Sequence, residues 1–142
     1  MTVVLDASMV LSWHFKRADQ AEARLSQQAL LDVANYGAVV PGLWYSEVAN
    51  GLLVGERRGV TSTQGIAAFL ADLAQLDFEV DSALPEATFD SVIACARTSN
   101  LTAYDATYLE LALRTTRVLA TFDQRLAEAL RKAGGRVFGN GA

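Results

Sequence analysis

The sequence predicts an α/β fold of three layers, with helices on both faces of a short, mostly parallel central sheet. Three observations carry that prediction. Short β-branched apolar runs alternate with amphipathic stretches along the chain, the pattern of strand and helix units whose strands are covered on both sides. Acids stand where the runs stop: Asp6 follows Val3-Val4-Leu5, and Asp123 follows Val118-Leu119-Ala120-Thr121-Phe122. Finally, 142 residues that are 51% hydrophobic fit one compact domain over residues 1–142, with no repeat, linker or low-complexity tract.

Thr2 to Leu5 reads as a first buried strand that stops at Asp6-Ala7-Ser8, followed by a short helical segment through Trp13. Gln20 to Asn35 is rich in Ala, Leu and Gln and predicts a helix, ended near Asn35 and Gly37; Ala38 to Pro41 is the second strand. From Leu43 the period changes. Trp44, Val48 and Leu52 share a helical stripe, and Arg57-Arg58-Gly59 supplies last-turn cations and a stop. Ile66, Phe69, Leu70 and Leu73 predict a further amphipathic helix, capped by Thr61 or Ser62.

Phe78-Glu79-Val80 is a weak strand candidate. Pro85 suits a helix first turn, with Phe89, Val92, Ile93 and Ala96 as a core-facing side that runs to about Asn100. Thr102 to Thr115 is a strong helix with Asp105 in its first turn. Val118 to Thr121 is a buried strand, and Asp123 begins a helix whose Leu126, Ala129, Leu130 and Ala133 share one face. Gly134-Gly135 stops it before a last short strand at Arg136-Val137-Phe138.

A net charge of -4 argues against a general polyanion binder, but ten of the twelve cations are Arg, whose planar fork suits phosphate. Lys16-Arg17, Arg57-Arg58, Arg114 with Arg117, and Arg131-Lys132 form local groups that serve equally well as solvated helix ends. Cys95 is the only cysteine, so neither a disulfide framework nor a sulfur-based metal site is expected within one chain. With no leader-like start and no apolar run of membrane-spanning length, a soluble cytoplasmic protein is expected.

Four acids stand at element boundaries: Asp6, Glu47 in Trp44-Tyr45-Ser46-Glu47-Val48-Ala49-Asn50, Asp105 in Thr102-Ala103-Tyr104-Asp105, and Asp123. Each has a plain structural role open to it, as a helix cap, a dipole partner or an exposed helical residue. Jointly they point elsewhere. Asp6 and Asp123 both follow parallel strands and reach the same sheet edge, where open α/β sheets bind ligands. Glu47 and Asp105 lie in apolar surroundings where a lone carboxylate is costly and a bound cation offsets the cost. Oxygen-only anionic donors suit Mg²⁺ or Mn²⁺, with remaining positions left to water and a substrate phosphate. Ser8, Thr121 and Asn50 are candidates to orient the carboxylates.

Other chemistries find little support. His14, the only histidine, sits between Trp13 and Phe15, and the ten glycines form no phosphate-binding loop. An aspartyl-nucleophile phosphohydrolase would have Asp6 attack a phosphate monoester, but Ser8 occupies the place of its usual second acid, and lysines occur only at 16 and 132. A non-catalytic module whose acids bind a basic partner is the other alternative.

Val3-Val4-Leu5-Asp6-Ala7-Ser8, Glu47-Val48-Ala49-Asn50, Leu101-Thr102-Ala103-Tyr104-Asp105-Ala106 and Leu119-Ala120-Thr121-Phe122-Asp123 together resemble the successive signatures of PIN-domain ribonucleases. With the tail Arg125 to Leu130, the chain looks most like the VapC toxins of type II toxin–antitoxin systems. The resemblance implies a three-layer PIN-like domain and an endoribonuclease dependent on Mg²⁺ or Mn²⁺. It places Asp6, Glu47, Asp105 and Asp123 on the metal with Thr121 nearby. It also implies an RNA substrate, a homodimer, and a small antitoxin that blocks the site. Independently, Trp44, Tyr45, Leu52, Leu53 and Val54 cover more of one helix than a core-facing stripe needs, which predicts an interface there.

Overall fold

The structure, a computed structural model, describes residues 2–139. Strand β1 (Val3–Leu5) is buried at three consecutive positions, and since neighbouring side chains point to opposite faces, both faces of the sheet are covered there. Helix α1 (Ala7–Leu11) follows at once, and then α2 (Gln20–Tyr36), capped by the Asp19 carboxylate on the Glu22 amide. Gly37 ends α2 at φ +73°, and a Cβ there would lie 2.8 Å from the Asp77 carbonyl oxygen, so this turn into β2 (Ala38–Val40) is built for glycine.

Helix α3 (Leu43–Arg57) buries Trp44, Val48 and Leu52, the stripe expected from the sequence. Its Gly51 and Gly55 let the α1 segment come close: a Cβ on Gly51 would sit 2.5 Å from Leu11 Cδ1, and one on Gly55 would meet the Phe15 ring. Ser62 caps α4 (Thr63–Leu73), which buries Phe69 and Leu73, while Leu70 stays exposed. After β3 (Phe78–Val80) come α5 (Pro85–Ser99), α6 (Ala103–Thr115), β4 (Leu119–Ala120) and α7 (Gln124–Lys132).

The four strands form one parallel sheet in the order β3-β2-β1-β4, so the α/β class and the parallel sheet expected from the sequence are present. The chain builds outward from β1 through β2 to β3, then returns to add β4 on the other side of β1. Among the described residues no helix is long and apolar enough to cross a membrane.

Three expectations need correction. The α5 side with Phe89 is not core: Phe89 is 65% exposed and no residue of α5 is fully buried, although Cys95 packs against the core from its far side. Ala133 lies beyond the end of α7 and is exposed, leaving Leu126, Ala127, Ala129 and Leu130 as the buried face. The last strand shrinks to a single bridge between Leu119 and Val137, because the chain turns away after Phe138 donates to the Leu119 carbonyl. An amphipathic pattern records an apolar face; what covers that face is decided by the rest of the chain.

Candidate metal centre

The sheet reverses its direction of growth between β1 and β4, and open α/β sheets have their ligand crevice at the carboxyl ends of strands at such a point. Asp6 and Asp123 stand there. The Asp6 amide donates to the Ala120 carbonyl at 3.0 Å, which sets the two strand ends level.

Asp6 is 7% exposed and accepts two hydroxyl bonds on one oxygen: Ser8 Oγ and Thr121 Oγ1 each lie 2.6 Å from Oδ2. Thr121 in turn accepts the Asp123 amide at 2.9 Å, and Ser8 accepts the Phe122 amide at 2.9 Å. The two hydroxyls, themselves 3.3 Å apart, thus lock the loop after β4 onto the end of β1. Asp123 caps α7, its Oδ1 accepting the Arg125 and Leu126 amides. That cap fixes the carboxyl group at the start of the helix.

Glu47 comes from the second turn of α3 and Asp105 from the first turn of α6, where the Thr102 hydroxyl accepts the Asp105 amide at 3.2 Å. The acids sense one another. Burial pushes the pKa of Asp6 up, with the charge of Asp123 adding to it against the Ser8 and Thr121 bonds. Burial likewise raises Glu47, opposed by its bond from Tyr108 and helped by Asp6 and Asp105. Asp105 is raised by burial and then by Asp123 and Asp6, with Thr102 and Arg125 pulling the other way. Burial leads in all three, and the neighbouring carboxylates add to it.

A divalent ion fits this donor set chemically: the donors are all carboxylate oxygens, and their mutual repulsion is what a cation relieves. Among the described residues, no three His, Cys, Asp or Glu side chains are gathered tightly enough to enclose an ion as they stand. Mg²⁺ retains several waters and needs only one or two direct carboxylates, so a loose ring of acids suits it better than a closed cage.

Tyr108 was not singled out in the sequence. It is fully buried on α6 and donates its hydroxyl to Glu47 Oε1 at 2.5 Å, and burial followed by that bond drives its pKa far up. The available signal was its position three residues after Asp105, on the same face of the helix. Asn50 lies exposed one turn beyond Glu47 and makes no hydrogen bond to the acids. His14 is bonded to Thr61 Oγ1 at 2.7 Å and packs on Phe15 and Phe69.

The arginines divide by task. Arg114 is held by Glu110 and Asp81, and Arg117 donates to the Thr2 carbonyl, so both serve the fold. Arg17 stacks 4.2 Å over the Phe122 ring beside the loop that carries Asp123, and the exposed Arg125 donates to the Asn100 carbonyl while acting on Asp105.

The PIN domain family matches residues 3–132, nearly the whole chain. This chain belongs to the PIN-domain family. PIN domains are generally nucleases and commonly use divalent metals. Among solved structures, the crystal structure of PAE2754 from Pyrobaculum aerophilum is similar at 20% identity and a TM-score of 0.69, covering 96% of this chain and 88% of that one. At that identity the likeness shows a shared fold. No curated protein matches the chain.

Proposed function

We propose that this PIN-domain protein is a metal-dependent endoribonuclease and the VapC-like toxin of a type II toxin–antitoxin pair acting in the cytoplasm. One observation carries the nuclease reading: Asp6, Glu47, Asp105 and Asp123 come from four different parts of the fold, and burial, with the charges of neighbouring acids adding to it, raises the proton affinity of Asp6, Glu47 and Asp105. These four would hold Mg²⁺ or Mn²⁺. When bound, such an ion supplies Lewis-acid polarisation of the scissile phosphoryl group.

The chain's own groups do the positioning. Ser8 and Thr121 fix the Asp6 carboxyl from one side, and the α7 cap fixes Asp123. Arg125, which acts on Asp105, and Arg17, which lies over the Phe122 ring and 3.5 Å from Glu22, would offer forks to the RNA backbone, where a chain of net charge -4 needs local cations.

The toxin reading rests on the surface of α3. Tyr45 and Leu53 are exposed and, with Val48, Leu52, Leu70 and Leu73, line an apolar groove of 690 Å³ between α3 and α4. A groove of this kind accepts the apolar face of an antitoxin helix. The exposed Tyr45 and Leu53 of α3 would also serve a homodimer, with the antitoxin helix docking near the same region.

Incubation of purified protein with RNA tests the reading. Cleavage should require Mg²⁺ or Mn²⁺, leave 5′-phosphate and 3′-hydroxyl ends, and disappear in Asp6→Asn. Undiminished cleavage in excess chelator would overturn it.

A further inference from the structure

Glu47 differs from the other three acids in its support. Asp6 is held by hydroxyls of its own crevice and Asp123 by the amides of its own helix, but Glu47 stands in the second turn of α3 with a long side chain and several rotamers. One group restrains it. Tyr108, fully buried on α6, reaches across to Oε1 at 2.5 Å, while Oε2 accepts no hydrogen bond among the described residues. The tyrosine ring is fixed by the core, so its hydroxyl is a rigid post, and it rises from the same helix that delivers Asp105 three residues earlier.

We infer that Tyr108 is a positioning residue of the metal centre: by occupying Oε1 it would leave the other oxygen of Glu47 for the ion and would tie the position of Glu47 to the helix that carries Asp105. This rests on the metal-dependent reading above and extends it to a residue outside the four acids. A hydrogen bond to a ligating carboxylate from a fixed neighbour removes rotameric freedom that binding would otherwise have to quench, and loss of such a partner typically weakens metal affinity roughly 10- to 100-fold. The bland alternative is that Glu47 merely satisfies a buried hydroxyl.

Mn²⁺ titration of the metal-free full chain, followed by the electron paramagnetic resonance signal of the free ion, separates the two. Tyr108→Phe keeps the ring and removes only the donor. It should bind Mn²⁺ about 10-fold more weakly than wild type or worse. In the background of Glu47→Gln the same change should add almost nothing, since its effect passes through Glu47. A purely structural tyrosine would lower the melting temperature in chelator and leave Mn²⁺ affinity equal to wild type, and that result, or additive losses in the double variant, would overturn the inference.

A second readout needs no variant. The buried Tyr108 hydroxyl proton should be protected from exchange and should shift in proton resonance spectra as Mg²⁺ is added, with the same midpoint as Mg²⁺ binding. A protected proton that ignores saturating Mg²⁺ counts against the inference. Wild-type protein that binds neither ion would instead remove the metal centre itself and this role with it, whereas binding by wild type and Tyr108→Phe alike would remove the role alone.

Discussion

Thr121 Oγ1 lies 2.6 Å from Asp6 Oδ2, and this bond joins the end of β4 to the end of β1 across 115 positions of sequence. The same hydroxyl accepts the Asp123 amide, so one side chain sets the separation of two of the four acids. Thr121→Val keeps the shape and removes the hydroxyl. It leaves a buried carboxyl with one donor fewer and an amide without its acceptor, a loss of about 1–3 kcal/mol. RNA cleavage should drop by roughly 10- to 100-fold, as for other loss of support behind metal ligands, while Thr121→Ser retains most of it. Initial rates and urea midpoints for the two variants check this; equal rates for Val and Ser would remove the role of the hydroxyl.

Asp81 and Arg114 form the opposite kind of carboxyl environment. Burial disfavours the Asp81 charge, but the Arg114 bonds, at 2.6 and 3.2 Å, and the Ala83 amide outweigh it and hold the pKa below the ordinary aspartate value. The pair therefore stabilises the fold fully above the pKa of the unfolded chain, and that contribution is lost as pH falls through the lower folded value. Both partners are partly exposed, so the effect is about 1 kcal/mol or less. Asp81→Asn should lose this much at neutral pH and converge on wild type in strong acid. Urea denaturation as a function of pH measures it.

Asp6, Glu47 and Asp105 act with the reverse sign. Their folded pKa values are raised, so without metal the folded chain retains protons that the unfolded chain releases. Stability from this source is complete below the unfolded pKa values and falls as pH rises through the folded ones. Asp105→Asn removes one of the repelling charges. In chelator at neutral pH its melting temperature should exceed that of wild type, with a shallower decline between mild acid and neutrality. A lower melting temperature at every pH would show that Asp105 is compensated in some other way.

Much of this arrangement is legible in sequence because its signals are local. A β-branched run that stops at an acid states both the strand and the edge to which the acid is delivered, as at Asp6; Thr102 three residues before Asp105 states a helix start. Tyr108 is illegible because its partner is 61 residues away on another helix, and a tyrosine at helical spacing reads as ordinary core. Phe89 misleads for a related reason: periodicity shows that α5 has an apolar side, and nothing local says that the side remains open. The last strand is a single bridge at Val137 because the chain turns at Phe138, a turn that the run Arg136-Val137-Phe138 does not announce.

If the four carboxylates form one site for a divalent ion, the folded chain should be stabilised by Mn²⁺, and a Mn²⁺ titration of thermal stability tests this most directly. Binding to the folded state alone raises the melting temperature with ion concentration, by about 2.7 kcal/mol of added stability at a hundredfold excess over Kd. Wild type should show that rise; Asp6→Asn and Asp105→Asn, starting from folded and equally melting-competent protein, should show far smaller ones. Identical Mn²⁺ shifts in all three would contradict the assignment of these acids to a metal.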